Sequence, residues 1–200
     1  MRRRRQLNSF TYLPQQAKLA TVLLIGIASG YFISEEFREP QIVQAPNAIQ
    51  IQPCFTPQHK CQPLILREIN HAQKSVYMMG YSFTAEPIAR ALIAAHQRGV
   101  EVKVILDRSQ LKNRSQSHLL EAAGIPILID ETVAIAHNKV LIIDNQKLVV
   151  GSYNFTNAAE YKNAENLMII DSPEIVARYL DNWQNRVTVS TPKQLLTYHD

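Results

Sequence analysis

Three helix patterns, each followed by a strand pattern, fill the chain between Pro63 and Ile129, and this alternation limits the fold more than any other feature. Pro63 can open a helix that carries Leu64, Ile65, Ile69 and Ala72 on one face. Ser75 to Met79 reads as a strand. Pro87 to Arg98 has helical spacing and stops at Gly99, and Val100 to Leu106 alternates apolar with polar residues. Ser117 to Ala123 is a third helix, ended by Gly124 and followed by a strand over Ile125 to Ile129. A strand near Ile49 to Pro53 precedes this series. Such a βαβαβ rhythm predicts an α/β domain with a mixed, largely parallel sheet flanked by helices.

The second half is more strand-rich. Lys139 to Ile143 and Leu148 to Val150 predict a hairpin turning at Asp144 to Gln146. A short helix after Thr156, a strand over Asn166 to Ile170 and a closing helix over Pro173 to Trp183 follow. The expected organisation is an N-terminal segment (1–34), a linker (35–48), one domain (49–186) and a tail (187–200).

The formal net charge of +4 belongs to the N-terminal segment. Arg2, Arg3, Arg4, Arg5 and Lys18 precede the first apolar run with no acid among them, and without them the chain is close to neutral. Bulk attraction to a phosphate backbone is therefore not a property of the domain. Leu19 to Ile33 is uncharged and mostly apolar, short of the roughly 20 residues that span a membrane as a helix. Behind four arginines it reads either as a secretory signal, with Ala28-Ser29-Gly30 offering small residues for cleavage, or as an uncleaved apolar helix. In a bacterium either form exports the domain: to the periplasm or medium, or to an anchored position at the inner membrane. Cys54 and Cys61 flank a short loop containing Pro57. A disulfide suits an oxidising compartment; free thiols, or zinc with His59 and a weak fourth ligand in His71, are the alternatives.

Chemistry concentrates in Ala136 to Asn166, which holds His137-x-Lys139, then Asp144, then Gly151-Ser152-x-Asn154. Lys139 is expected two residues from His137 on a strand, so that both project from one sheet face. An imidazole and an ammonium would then meet one phosphodiester. Gly151 permits close approach of backbone or substrate, and Ser152 and Asn154 can donate to phosphate oxygens. This spacing resembles the HKD motif of the phospholipase D superfamily. Cys54 to Pro57, Tyr81 to Thr84, Arg98 to Val100, Val104 to Asp107 and Ala164 to Leu167 extend the resemblance over the domain. They are similar to the branch of small bacterial endonucleases with one HKD motif per chain, with mitochondrial cardiolipin hydrolase more distant.

The resemblance implies a phospholipase D-like α/β/α sandwich and a metal-independent phosphodiesterase without a cofactor. His137 would attack phosphorus and form a phosphohistidine, while a second, protonated histidine protonates the leaving oxygen and later activates water. One motif per chain implies a homodimer that shares its active site. His59, His71, His96, His118 and His199 lack a lysine partner at the motif spacing and read as structural or surface residues. The expected catalytic set is His137, Lys139, Asp144 and Glu165, with Lys139, Ser152 and Asn154 on the phosphate. Glu165 would orient the imidazole. Asp144, although a motif member, sits where a turn or interface role suits it better than chemistry. Phe83 and Tyr153 are expected at the pocket rim, with Tyr81 and Phe155 as lining or core. Lys147, Lys162 and Arg108 could steer an anion. Candidate substrates are nucleic acid or phospholipid, and a catalytically inert module that binds either is the contrasting class.

Overall fold

A computed structural model describes residues 49–111 and 115–196. The expected N-terminal signal or anchor, the linker, His199 and the last four residues lie outside them. The strands are β1 (Gln50–Thr56), β2 (Ser75–Gly80), β3 (Glu101–Asp107), β4 (Ile127–Asp130), β5 (Lys139–Ile143), β6 (Lys147–Gly151), β7 (Glu165–Asp171) and β8 (Thr191–Pro192). The helices are α1 (Gln62–His71), α2 (Glu86–Gln97), α3 (Ser117–Ala122), α4 (Asn157–Tyr161) and α5 (Pro173–Val189). All eight strands form one sheet in the order β1-β7-β6-β5-β2-β3-β4-β8.

Alternation along the strands builds two cores. Val76, Met78, Val104, Leu106, Leu141 and Ile143 point to one face, where Ile65 and Ile69 of α1, Ile88 and Leu92 of α2 and Leu120 of α3 cover them. Met79, Ile105, Val140, Ile142 and Leu148 point to the other, against Val176 and Trp183 of α5. Trp183 stacks on Tyr77 at 5.3 Å between ring centroids. The expected three-layer α/β/α arrangement is therefore present. Its parallel part is smaller than expected: β2–β3 and β3–β4 are parallel, and the other five joins are antiparallel. Helices α2 and α3 make the crossovers of these two joins, which parallel neighbours require.

Two boundaries also moved. α5 runs on to Val189, and Thr191 and Pro192 pair with Ile129 and Leu128, so the described tail is part of the sheet. Arg186, the expected end of the domain, binds Asp130 through two guanidinium nitrogens at 2.7 and 2.6 Å, tying α5 to β4. Cys54 and Cys61 form a disulfide, which decides between the three cysteine alternatives.

The β5–β6 turn shows what Asp144 does. Asp144 and Asn145 both have positive φ, 54° and 57°, and the Gln146 N–H donates to the Ile143 carbonyl at 3.0 Å. Asp and Asn tolerate this region better than other side chains with a Cβ. The Asp144 carboxylate accepts from the backbone N–H groups of Gln73, Lys74 and Ser75 at 2.7–3.1 Å, closing the α1–β2 loop onto the hairpin. Burial alone would push this carboxyl up, but the backbone donors and Lys74 outweigh it and hold it below the usual carboxylate range. A depressed folded pKa contributes stability above the unfolded value, about 4, and loses it as pH falls through the folded value. Asp144→Ala is therefore expected to cost about 2 kcal/mol at neutral pH. The gap to wild type should narrow in urea titrations below about pH 4.

Candidate active site

The carboxyl ends of β2, β3 and β4, at Gly80, Asp107 and Asp130, lie along one edge of the sheet. The starts of β5 and β7 and the ends of β1 and β6 meet them there, as the pairs Gly80–Lys139, Gly151–Leu167 and Thr56–Glu165 require. This is where open α/β sheets place ligand sites. His137, Lys139, Ser152 and Glu165 all come from this edge.

His137 precedes β5 instead of lying on it. The residues on either side of it are pinned. Ala136 donates its N–H to the buried Asp107 carboxylate at 2.8 Å, and the Tyr81 N–H donates to the Asn138 carbonyl at 2.9 Å. The second Asp107 oxygen takes the Ser109 N–H at 2.8 Å. His137 itself is exposed, and its ring lies 4.5 Å from the Tyr81 ring, tilted by 58°. Lys139 is buried at 7% exposure, and its Nζ donates to the His137 carbonyl at 2.9 Å. Its ammonium also sits 5.1 Å from the Tyr81 ring centroid. Burial pushes the Lys139 ammonium down from its ordinary value, and the Glu165 carboxylate pulls the other way.

Glu165 is committed elsewhere than expected. Its carboxylate accepts from Ser152 Oγ at 2.6 Å and from Asn163 Nδ2 at 2.9 Å, and it makes no hydrogen bond to His137 within the chain. Ser152 Oγ in turn accepts the Asn166 N–H at 3.0 Å. Ser152, Glu165 and Asn163 thus form one polar unit beside Lys139. Asn154 is half-buried, and its Oδ1 has no hydrogen-bond partner among the described residues. Buried polar atoms are normally hydrogen-bonded, so this one calls for a partner beyond the described residues.

Three expected site residues are not at the surface of this edge. Asp144 stands at the opposite end of β5, about 16 Å from Lys139 at the usual rise per strand residue. Phe83 and Tyr153 are core residues, 0% and 1% exposed, so neither forms a rim. Phe83 bridges to Phe155, which is also buried. The Tyr153 hydroxyl donates to the buried Glu160 carboxylate at 3.0 Å, and that carboxylate also takes the N–H groups of Cys61 and Gln62 at the start of α1. Burial and Glu160 push the Tyr153 phenol up, so it stays a donor. Tyr81 is the aromatic that reaches the site. It walls a groove of about 470 Å³ shared with Asp107, Arg108, Ser109, Leu111 and Ile135. Asp107 carried a signal in the sequence, as the lone acid closing the apolar strand Val102 to Leu106.

Residues 65–187 match the family model described as cardiolipin synthase, PLD-like domain. The chain belongs to the phospholipase D superfamily. A phospholipase D of Rickettsia felis is 46% identical over 138 residues, covering 68% of this chain and 69% of that protein. The mitochondrial cardiolipin hydrolase of Mus musculus is 34% identical over 134 residues, covering 66% and 61%. Among solved structures, the phospholipase D family member Nuc from Salmonella typhimurium superposes with a TM-score of 0.68 at 37% identity, over 72% of this chain and 98% of that one. This phospholipase D-like chain is thus a phosphodiester hydrolase.

Proposed function

We propose that the chain cleaves phosphodiesters through a covalent intermediate on His137. The observation that carries this reading is the convergence of an exposed imidazole, a buried ammonium and the Ser152–Glu165 pair on one sheet edge. Neutral His137 attacks phosphorus, and the P–N bond forms as the bond to the leaving oxygen breaks. A protonated histidine donates to that oxygen. Water then attacks phosphorus and gives up a proton to the same second histidine, and His137 is released. Lys139 and the Asn154 amide would bear on the phosphate oxygens, where negative charge builds, while Ser152, whose hydroxyl proton goes to Glu165, would hold that carboxylate in place.

The second histidine would be His137 of another copy, because no other described histidine has a lysine at the motif spacing. The unpartnered Asn154 oxygen supports a site completed from outside the chain. So does an exposed apolar row. Ile51 and Phe55 of β1, 54% and 51% exposed, share a sheet face with Met168 of β7 and end beside Glu165. Sheets seldom leave such a row uncovered.

Phospholipid is the substrate class favoured by the curated phospholipase D and cardiolipin hydrolase relatives. Nucleic acid is the second reading, favoured by the motif resemblance to single-motif bacterial endonucleases. Export is supported by the disulfide, which belongs to an oxidising compartment, and by the N-terminal apolar run, which would also give membrane association.

One preparation tests these points. Acid-quenched turnover of ³²P-labelled phospholipid vesicles and of ³²P-labelled single-stranded DNA should leave acid-labile label on the His137 peptide with one class of substrate. The active species should sediment as a dimer. Turnover without label would remove the covalent step, and full activity in a monomer would remove the shared site.

A further inference from the structure

We infer that Tyr81 is a positioning residue for the nucleophile, its ring serving as a fixed wall that sets the His137 imidazole and shields the Lys139 ammonium. The inference rests on the reading of His137 as the nucleophile. Tyr81 is joined to the His137 segment twice. Its backbone N–H holds the Asn138 carbonyl, immediately after His137. Its ring meets the imidazole at 4.5 Å and the Lys139 ammonium at 5.1 Å. No other aromatic ring among the described residues touches either group.

The imidazole needs such a support. Its ring has no hydrogen bond among the described residues, and Glu165, the acid expected to orient it, is taken by Ser152 and Asn163. An exposed imidazole on a pinned backbone still rotates about its side-chain bonds. A near-attack geometry restricts that rotation, and a rigid neighbour is a direct way to do so. The Tyr81 ring also presents its electron-rich face toward Lys139, a buried cation, so one ring supports both groups. The Tyr81 hydroxyl has no hydrogen-bond partner among the described residues, so the ring and not the phenol is what the geometry uses. The groove that Tyr81 walls leaves the ring half-exposed, and the ring belongs to neither core.

The test compares Tyr81→Phe with Tyr81→Leu in the full-length protein, using a small soluble phosphodiester as substrate. Phe is expected to keep kcat within about threefold. Leu is expected to lower kcat about 30-fold or more with KM nearly unchanged, because it removes alignment and not binding. A structural readout accompanies the kinetics. In wild type the His137 ring protons should resonate upfield in the NMR spectrum, shifted by the adjacent aromatic current; Phe should keep that shift and Leu should lose it. Equal losses in Phe and Leu would show that the hydroxyl acts and would overturn the inference. So would an unchanged kcat in Leu, or loss of the shift with no loss of rate. If His137→Ala stays active, the reading of the nucleophile fails instead, and that variant, measured beside the Tyr81 pair, identifies the case separately.

Discussion

Replacing His137 with alanine is expected to lower kcat by on the order of 10⁴-fold or more while leaving the unfolding free energy within about 0.5 kcal/mol of wild type. The two halves of this expectation have different origins. The rate loss follows from removing the atom that would bond to phosphorus; no other described imidazole is placed beside Lys139 to replace it. The small stability change follows from how the segment is held. Asp107 grips the Ala136 N–H, Tyr81 grips the Asn138 carbonyl and Lys139 grips the His137 carbonyl, so every hydrogen bond is to backbone. The exposed side chain leaves no cavity when truncated. Steady-state kinetics on a soluble diester and urea denaturation on the same sample check both halves. Residual turnover of a few per cent would assign the nucleophile elsewhere. A large loss of stability would mean that the rate effect came from the fold.

Gly151→Ala is expected to be the most disruptive single methyl that can be added to the site edge. A Cβ at this position would lie 2.2 Å from the Asn166 carbonyl oxygen and 2.9 Å from the Leu167 Cα, both backbone atoms of β7. A flexible side chain could turn away, but a strand inside a sheet cannot without breaking its ladder. The cost is therefore expected at about 3 kcal/mol, the upper end of overpacking penalties. The same shift would part Ser152 from Asn166 and Glu165, whose contacts at 2.6–3.4 Å depend on β6 and β7 standing this close. Activity should thus fall about tenfold or more even in the fraction that stays folded. Urea midpoints and kcat measured well below the transition separate the two effects. An unchanged midpoint would show that β6 and β7 can part at this point without cost.

The sequence carried the layers of this fold because its signals there are local. Strand alternation in Val100 to Leu106 and helical spacing in Pro87 to Arg98 need no partner to be read. The segment from His137 to Asn154 was equally legible, since a motif is a matter of spacing. Strand direction was not: β5, β6 and β7 join the sheet antiparallel, and nothing in an apolar run such as Lys139 to Ile143 states which neighbour it will meet. Aromatic roles were decided by the same non-local fact. Tyr81, Phe83 and Tyr153 have similar apolar bodies in the sequence. The pairing of the β2–α2 segment with the His137 segment left Tyr81 on the site, while Phe83 of that segment and Tyr153, which follows β6 and reaches Glu160, went into the core. Glu165 had its acid chemistry written in the sequence, but the carboxylate's partners were chosen by the β6–β7 pairing. Local periodicity and spacing thus determined what the chain is built from and where its chemistry is written. Long-range strand pairing decided which side chains meet, because contacts between residues far apart in sequence exist only after the chain has closed on itself.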